Sequence, residues 1–221
     1  MTNAALLLLA DSRFPTGAHA HSNGVEAAHA RGDLMSLADL SDLIDGRLAT
    51  VGTTEAAFAA AACMPGAVWV DLDRELAART PSPRLRAVSR TLGRQLLRAA
   101  ERAWPSLPAS ELRSLHREGP MQSVALGATA AAAGLTPADA ALCSLHHLVG
   151  AVTTSAVRLL GLDPFDVQAI AAHRTPVLER MAAEAAARAL GPADALPANN
   201  SLLADILAEH HATWEVRLFA S

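Results

Sequence analysis

The sequence predicts an all-α protein, a single-domain bundle of roughly ten helices around an uncharged central hairpin. Three observations predict it. Hydrophobic residues make up 51% of the 221, yet aromatics are only 3% and tyrosine is absent. The apolar content is mostly alanine and leucine, both strong helix formers. Strand-forming residues cluster almost nowhere along the chain. Apolar residues instead recur at helical spacing, as in Leu37, Leu40, Leu43, Ile44 and Leu48. The length suits one large domain with a real core. It reads as a helical core over 1–190, a linker over 191–200, GPADALPANN, and a C-terminal helix with a tail over 201–221.

The elements follow in order. Residues 4–10 form a short buried helix, stopped by Asp11 and Ser12. The loop RFPTGAHAHSNG comes next, where Pro15, Gly17 and Gly24 mark turns. A short helix passes through Glu26 and ends near Gly32. Ser36 is the N-cap of a long helix that runs on through alanines to Cys63, where Pro65 and Gly66 stop it. A helix over 68–79 and a TPSP turn lead to a helix that reaches Trp104, its apolar face carried by Leu85, Val88, Leu92, Leu96 and Ala99. The opposite face carries Arg86, Arg90, Arg94, Arg98 and Arg102, a strict i,i+4 row. Like charges at that spacing destabilise an isolated helix by about 0.2–0.5 kcal/mol per pair. Acidic groups, from this chain or from a partner, are therefore expected beside them. Pro105 to Pro108 breaks the chain.

Residues 120–134 and 137–161 form the hairpin, joined by a GLTP turn with Thr136 as N-cap and Pro137 at N1. From Gly119 to Leu162 only Asp139 and Arg158 are charged. A stretch so long and so poor in charge meets the length criterion for a membrane span. It also holds Ser144, His146, His147, Thr153, Thr154 and Ser155, which are costly in hydrocarbon, and no Trp or Tyr belt flanks it. A buried helix of a bundle is the expectation. Arg158 fits either the helix C-terminus or a buried ion pair. Asp163 and Pro164 start the next helix, interrupted at 173–176. A charged helix, LERMAAEAAARAL, follows. The last amphipathic helix spans 202–211 and leads into the tail WEVRLFAS.

The net charge of -4 does not suggest a nucleic-acid binder. Cys63 and Cys143 are far apart and sit in apolar runs, which gives neither a disulfide scaffold nor a thiolate metal site. The N-terminus has no basic region or cleavage site of a signal peptide, so a cytoplasmic protein is expected. His19 and His21 are candidate metal ligands, although a closed zinc site wants four. His146-His147 and His210-His211 cannot chelate locally, because adjacent helical side chains point about 100° apart. No nucleophile elbow, phosphate loop or dinucleotide fingerprint is present. The residues read as a binding or scaffolding protein. An all-α, His-dependent metal-binding enzyme or metal carrier is the alternative.

Residues 6–28, LLLLADSRFPTGAHAHSNGVEAA, resemble the opening motif of the urease accessory protein UreF family, carried here by Leu9, Ser12, Pro15, Gly17, Ser22, Gly24 and Glu26. Three further segments resemble that family in collinear order. Thr80, Arg86, Ser89, Gly93, Leu96 and Leu97 carry the first. Gly127, Gly134, Leu142, Ser155, Arg158 and Leu159 carry the second. Asp205, Ile206, His211, Arg217, Leu218, Phe219 and Ser221 carry the third. The chain departs from the pattern at Ala18, His19, Ala20 and His21, and has Met121 where the family often has His.

The resemblance implies an all-α protein that is not itself an enzyme and has no cofactor of its own. UreF-like proteins dimerise, bind UreD (also called UreH) and recruit the nickel-carrying GTPase UreG; the complex inserts nickel into apo-urease. Nickel and GTP are then handled by the partner complex. The partner-binding candidates are Ser12, Pro15, Gly17, Ser22 and Glu26 in the opening motif, Arg86, Arg90 and Arg94 on the arginine row, and His211, Trp214, Arg217, Leu218 and Phe219 at the end. Trp and Arg are common interface anchors. Truncation after Glu209 is expected to leave a stable fold that no longer captures its partner.

Overall fold

The computed structural model describes residues 4–16, 21–215 and 218–219. Among these the regular structure is helical and contains no strand. In order the helices are α1 (Ala4–Ala10), α2 (Val25–Ala30), α3 (Leu37–Arg47), α4 (Thr53–Cys63), α5 (Trp69–Ala78), α6 (Pro83–Ala103), α7 (Ala109–Ser114), α8 (Gln122–Ala132), α9 (Pro137–Leu160), α10 (Pro164–Ala172), α11 (Thr175–Arg188) and α12 (Leu202–Ala212).

The alanine run decides the centre. In α4, TTEAAFAAAAC, Thr54 and every residue from Ala56 to Cys63 are buried. A helix whose only large apolar side chain is Phe58 can be approached closely, and α8, α9, α11 and α5 pack around it. The contact with α8 closes onto backbone: a Cβ added at Gly127 would lie 2.2 Å from the Ala59 carbonyl oxygen. Gly93 of α6 meets Pro120 in the same way, at 2.1 Å. The uncharged α8–α9 hairpin is therefore present, but α4 shares the centre with it.

The start of α9 forms as its sequence dictates. Thr136 Oγ1 accepts from the Asp139 N–H and the Asp139 carboxylate accepts from the Thr136 N–H, a complete capping box. By length and composition α9 could cross a membrane, but 61% of its apolar window is buried inside the fold. Leu145, Leu148, Val149 and Val152 form that buried face. It belongs to the core, as expected.

Several local expectations are corrected. Helix α1 is mostly exposed: of its leucines only Leu9 is buried. The apolar face of α6 is rotated, with Leu92, Gly93, Leu96, Leu97 and Ala100 inside while Leu85, Val88 and Ala99 are half-buried. Helix α7 follows the proline break, where no helix is predicted. The 191–200 segment is packed rather than loose. Leu196 is buried, Arg79 donates to the Asp194 carbonyl at 2.8 Å, and Thr54 donates to the Asn199 carbonyl at 2.7 Å.

Between α3 and α4 the helix does run on, as expected, but through a π-turn, Leu48–Gly52. Its threonines account for it. Thr50 Oγ1 donates to the Gly46 carbonyl at 2.7 Å and Thr53 Oγ1 to the Leu48 carbonyl at 3.0 Å, which loosens the ladder. Eight residues of plain α-helix leave a side chain about 80° off line. One extra residue in a π-turn cuts that to about 20°. Arg47, Val51 and Glu55 consequently line one cavity.

Candidate functional site

The two ends of the chain meet at Glu26. Helix α2 is short and places this carboxylate in its first turn, shielded from solvent. His211 Nε2 donates to Glu26 Oε2 at 2.9 Å. The backbone N–H of Leu218 donates to Oε1 at 2.8 Å and that of Phe219 to Oε2 at 3.1 Å. Burial pushes the Glu26 carboxyl up, but these donors outweigh it and hold the group below its ordinary value.

Helix α12 is aimed at this point by two acids one turn apart. Asp205 Oδ1 accepts from the Ser82 N–H at 3.2 Å, and Glu209 Oε1 accepts from the Arg84 N–H at 2.9 Å and from the Ser82 hydroxyl. Both carboxylates thus cap the N-terminus of α6, where the helix dipole favours negative charge. Beyond α12, the Trp214 ring packs on His211 with centroids 4.7 Å apart, and Trp214 Nε1 donates to His210 Nδ1 at 3.3 Å.

Phe219 is buried, with the Arg158 guanidinium 4.9 Å from its ring centre. That contact was not among the two expectations for Arg158. The tail, which follows the segment read as a linker, is strapped across α2 and the end of α9. Truncation after Glu209 would remove the donors to Glu26, so it is expected to cost stability as well as partner capture.

Beneath Phe219 lies a cavity of about 80 Å³, bordered by Asp11, Ser12, His21, His146, His147 and Arg158. Its imidazoles are held neutral. Burial, then His146, pushes His147 down to about 4. Burial lowers His146, and burial with the nearby Arg84 lowers His21. His147 Nε2 is committed to the Leu9 carbonyl at 3.0 Å. Among the described residues no group of three His, Cys, Asp or Glu side chains is placed to hold a metal ion. His19 lies outside the described residues, as do Gly17 and Arg217.

The remaining candidates divide by exposure. Ser12, Pro15 and Leu218 are exposed, Trp214 is half-buried, and Ser22 is fully buried. On the arginine row the structure supplies internal partners. Arg86 donates to the carbonyls of Thr80 and Pro81 at 2.6 and 2.8 Å, and Arg94 to that of Glu118 at 2.5 Å. Arg90 turns inward, is 7% exposed, and makes a forked ion pair with Asp73 at 3.0–3.1 Å. Arg90 therefore offers no surface to a partner. From the sequence, Asp71 and Asp73 look like a helix start; Asp73 also accepts from the Met121 N–H at 2.7 Å. The like-charged row signals that an acid lies beside it, but not which one.

Known proteins resemble this chain along its whole length. A sequence model of the UreF family matches residues 34–175. The urease accessory protein UreF of Mycolicibacterium vanbaalenii is 41% identical over 221 residues, covering 99% of this chain and 98% of that protein. The UreF proteins of Mycobacterium marinum and Mycobacterium tuberculosis H37Rv are 41% and 39% identical, over all of this chain and 99% and 100% of theirs. With the family model spanning more than half of the residues and relatives near 40% identity end to end, the chain belongs to the UreF family of urease accessory proteins.

Proposed function

We propose that this chain is a non-enzymatic scaffold of urease maturation, acting with a UreD-like (UreH-like) protein and a UreG-like GTPase in the GTP-dependent insertion of nickel into apo-urease. In this reading it is a homodimer within the complex, and nickel is the cargo of the assembly. One observation carries the reading furthest. The opening and closing motifs, which bear the family resemblance, are joined at Glu26 and build one surface from the two ends of the chain. Ser12 and Pro15 lie exposed on the opening motif, and Leu218, 73% exposed, on the closing one. A large apolar side chain held in water by a fixed backbone is suited to anchoring a partner.

Leu218→Asp tests the surface without touching the fold, because the backbone N–H that holds the tail is kept. Co-purification with a UreD homologue, followed by addition of UreG, should give a complex with the wild type and little or none with the variant at unchanged melting temperature. Absence of any complex with the wild type, in either order of addition, would sink the scaffold reading. Normal capture by the variant would remove Leu218 as an anchor.

A further inference from the structure

An open groove of about 350 Å³ runs between α3 and α12, bordered by Gly24 and Ala28 of the α2 region. One wall is a single face of α3 and its continuation: Asp39, Asp42, Leu43, Gly46 and Thr50 follow the i, i+3, i+4, i+7 pattern. The other wall is α12, through Leu203, Ala204 and Leu207. Gly46 contributes no side chain, and a Cβ built there meets nothing within 4 Å, so the wall is low at that point. Leu203, on the groove wall, is 51% exposed, and beside it on the same helix, outside the lining, Leu202 and Ile206 are 70% and 56% exposed. Soluble proteins rarely leave such a cluster bare without a partner for it.

The charge on the α3 wall is acidic. Asp33 is paired with Arg31 at 2.8 Å. Asp39 accepts from the N–H groups of Met35 and Ser36 at 3.0 and 2.9 Å, which keeps it ionised. Asp42 is exposed on the same face. Arg47 is the cation of the lining, and it lies toward Glu55 and Asp205.

We propose that this groove docks an amphipathic helix of another protein, with large apolar side chains on one face and Arg or Lys along one edge. Apolar anchors would meet Leu43, Leu203 and Leu207, and the basic edge would meet Asp39 and Asp42. A second copy of this chain is a poorer occupant. Its basic ridge, Arg94, Arg98 and Arg102, lies on α6, whose leucines Leu92, Leu96 and Leu97 are already buried. That ridge brings charge without anchors. The proposal is independent of the tail surface.

The probe is a synthetic amphipathic helix with leucines on one face and arginines along one edge, beside a twin carrying glutamates in place of the arginines. Fluorescence anisotropy on the full chain should show binding of the first and not of the second. Asp42→Arg should weaken binding by about tenfold, and Leu203→Glu should abolish it. Both positions are exposed, and unchanged melting temperatures would confirm intact folds. Leu218→Asp should leave peptide binding as it is, which separates this proposal from the tail reading. Equal binding of the two peptides, or binding indifferent to both groove variants, would overturn it. So would sedimentation showing a dimer that Leu203→Glu dissociates, because the groove would then belong to a second copy.

Discussion

Arg90 is the second of five arginines spaced four apart, and its fate shows how burial sorts identical residues. Its guanidinium donates to both carboxylate oxygens of Asp73 and to the Gly119 carbonyl at 2.8 Å, while Asp73 also accepts from the Met121 N–H. A buried pair of this kind is a modest net source of stability, but breaking it leaves an uncompensated charge. Asp73→Ala should cost about 3–5 kcal/mol in a urea titration, and the double variant Asp73→Ala/Arg90→Met should recover part of that loss. Glu55 is a different case. Burial pushes its carboxyl up to about 7, with Arg47 opposing, from an ordinary value of 4.5. Between those values the folded chain keeps a proton that the unfolded chain has lost, so stability falls as pH rises through the window and levels off above it. Glu55→Gln removes that dependence. The advantage of the variant in melting temperature should grow from pH 5 to pH 7 and then hold; a difference constant with pH would mean that Glu55 does not titrate there.

At the level of elements, the crossing of α4 and α8 sets the architecture. Ala59 and Ala62 on one side and Gly127 on the other allow backbone to approach backbone. Gly127→Val should therefore cost well beyond the usual 1–3 kcal/mol of overpacking, because the neighbouring atoms are main chain and an alanine Cβ, none of which can swing away. Thermal melting and the yield of folded protein would measure it. Elements such as these were legible in the sequence: the alanine run, the Thr136–Asp139 cap and the uncharged α9 are local patterns. The π-turn was less so, since its cause is the back-bonding of Thr50 and Thr53 rather than any periodicity. The inward turn of Arg90 was not legible, because Asp73 lies on another helix and sequence spacing says nothing about which acid will face the row. Helix α7 was missed because six residues, ASELRS, are too few to show a period beside a proline break.

At the scale of the whole molecule, the chain closes on itself through contacts that span most of its length. His211, Leu218 and Phe219 reach Glu26 from the far end, and Asp205 and Glu209 reach the start of α6. No local pattern announces such pairings, so the sequence shows the tail only as a segment that follows the last helix. Its closure has a testable pH signature. The donors hold the Glu26 carboxyl below its ordinary value of 4.5, so the folded chain binds fewer protons than the unfolded chain as acid is added. The stability from the closure is fully present above that ordinary value and is lost as pH falls through the lowered one. Truncation after Glu209 removes all three donors and leaves a buried carboxylate unsatisfied, a loss of about 2–3 kcal/mol at neutral pH. Urea titrations of the full and truncated chains should differ by at least that amount at pH 7 and draw closer in acid, once Glu26 is protonated in both states, leaving the pH-independent part from Phe219 packing. Parallel curves down to pH 3 would show that the tail stabilises the fold through Phe219 packing alone. Equal stabilities at pH 7 would show that the strap across α2 contributes nothing to it.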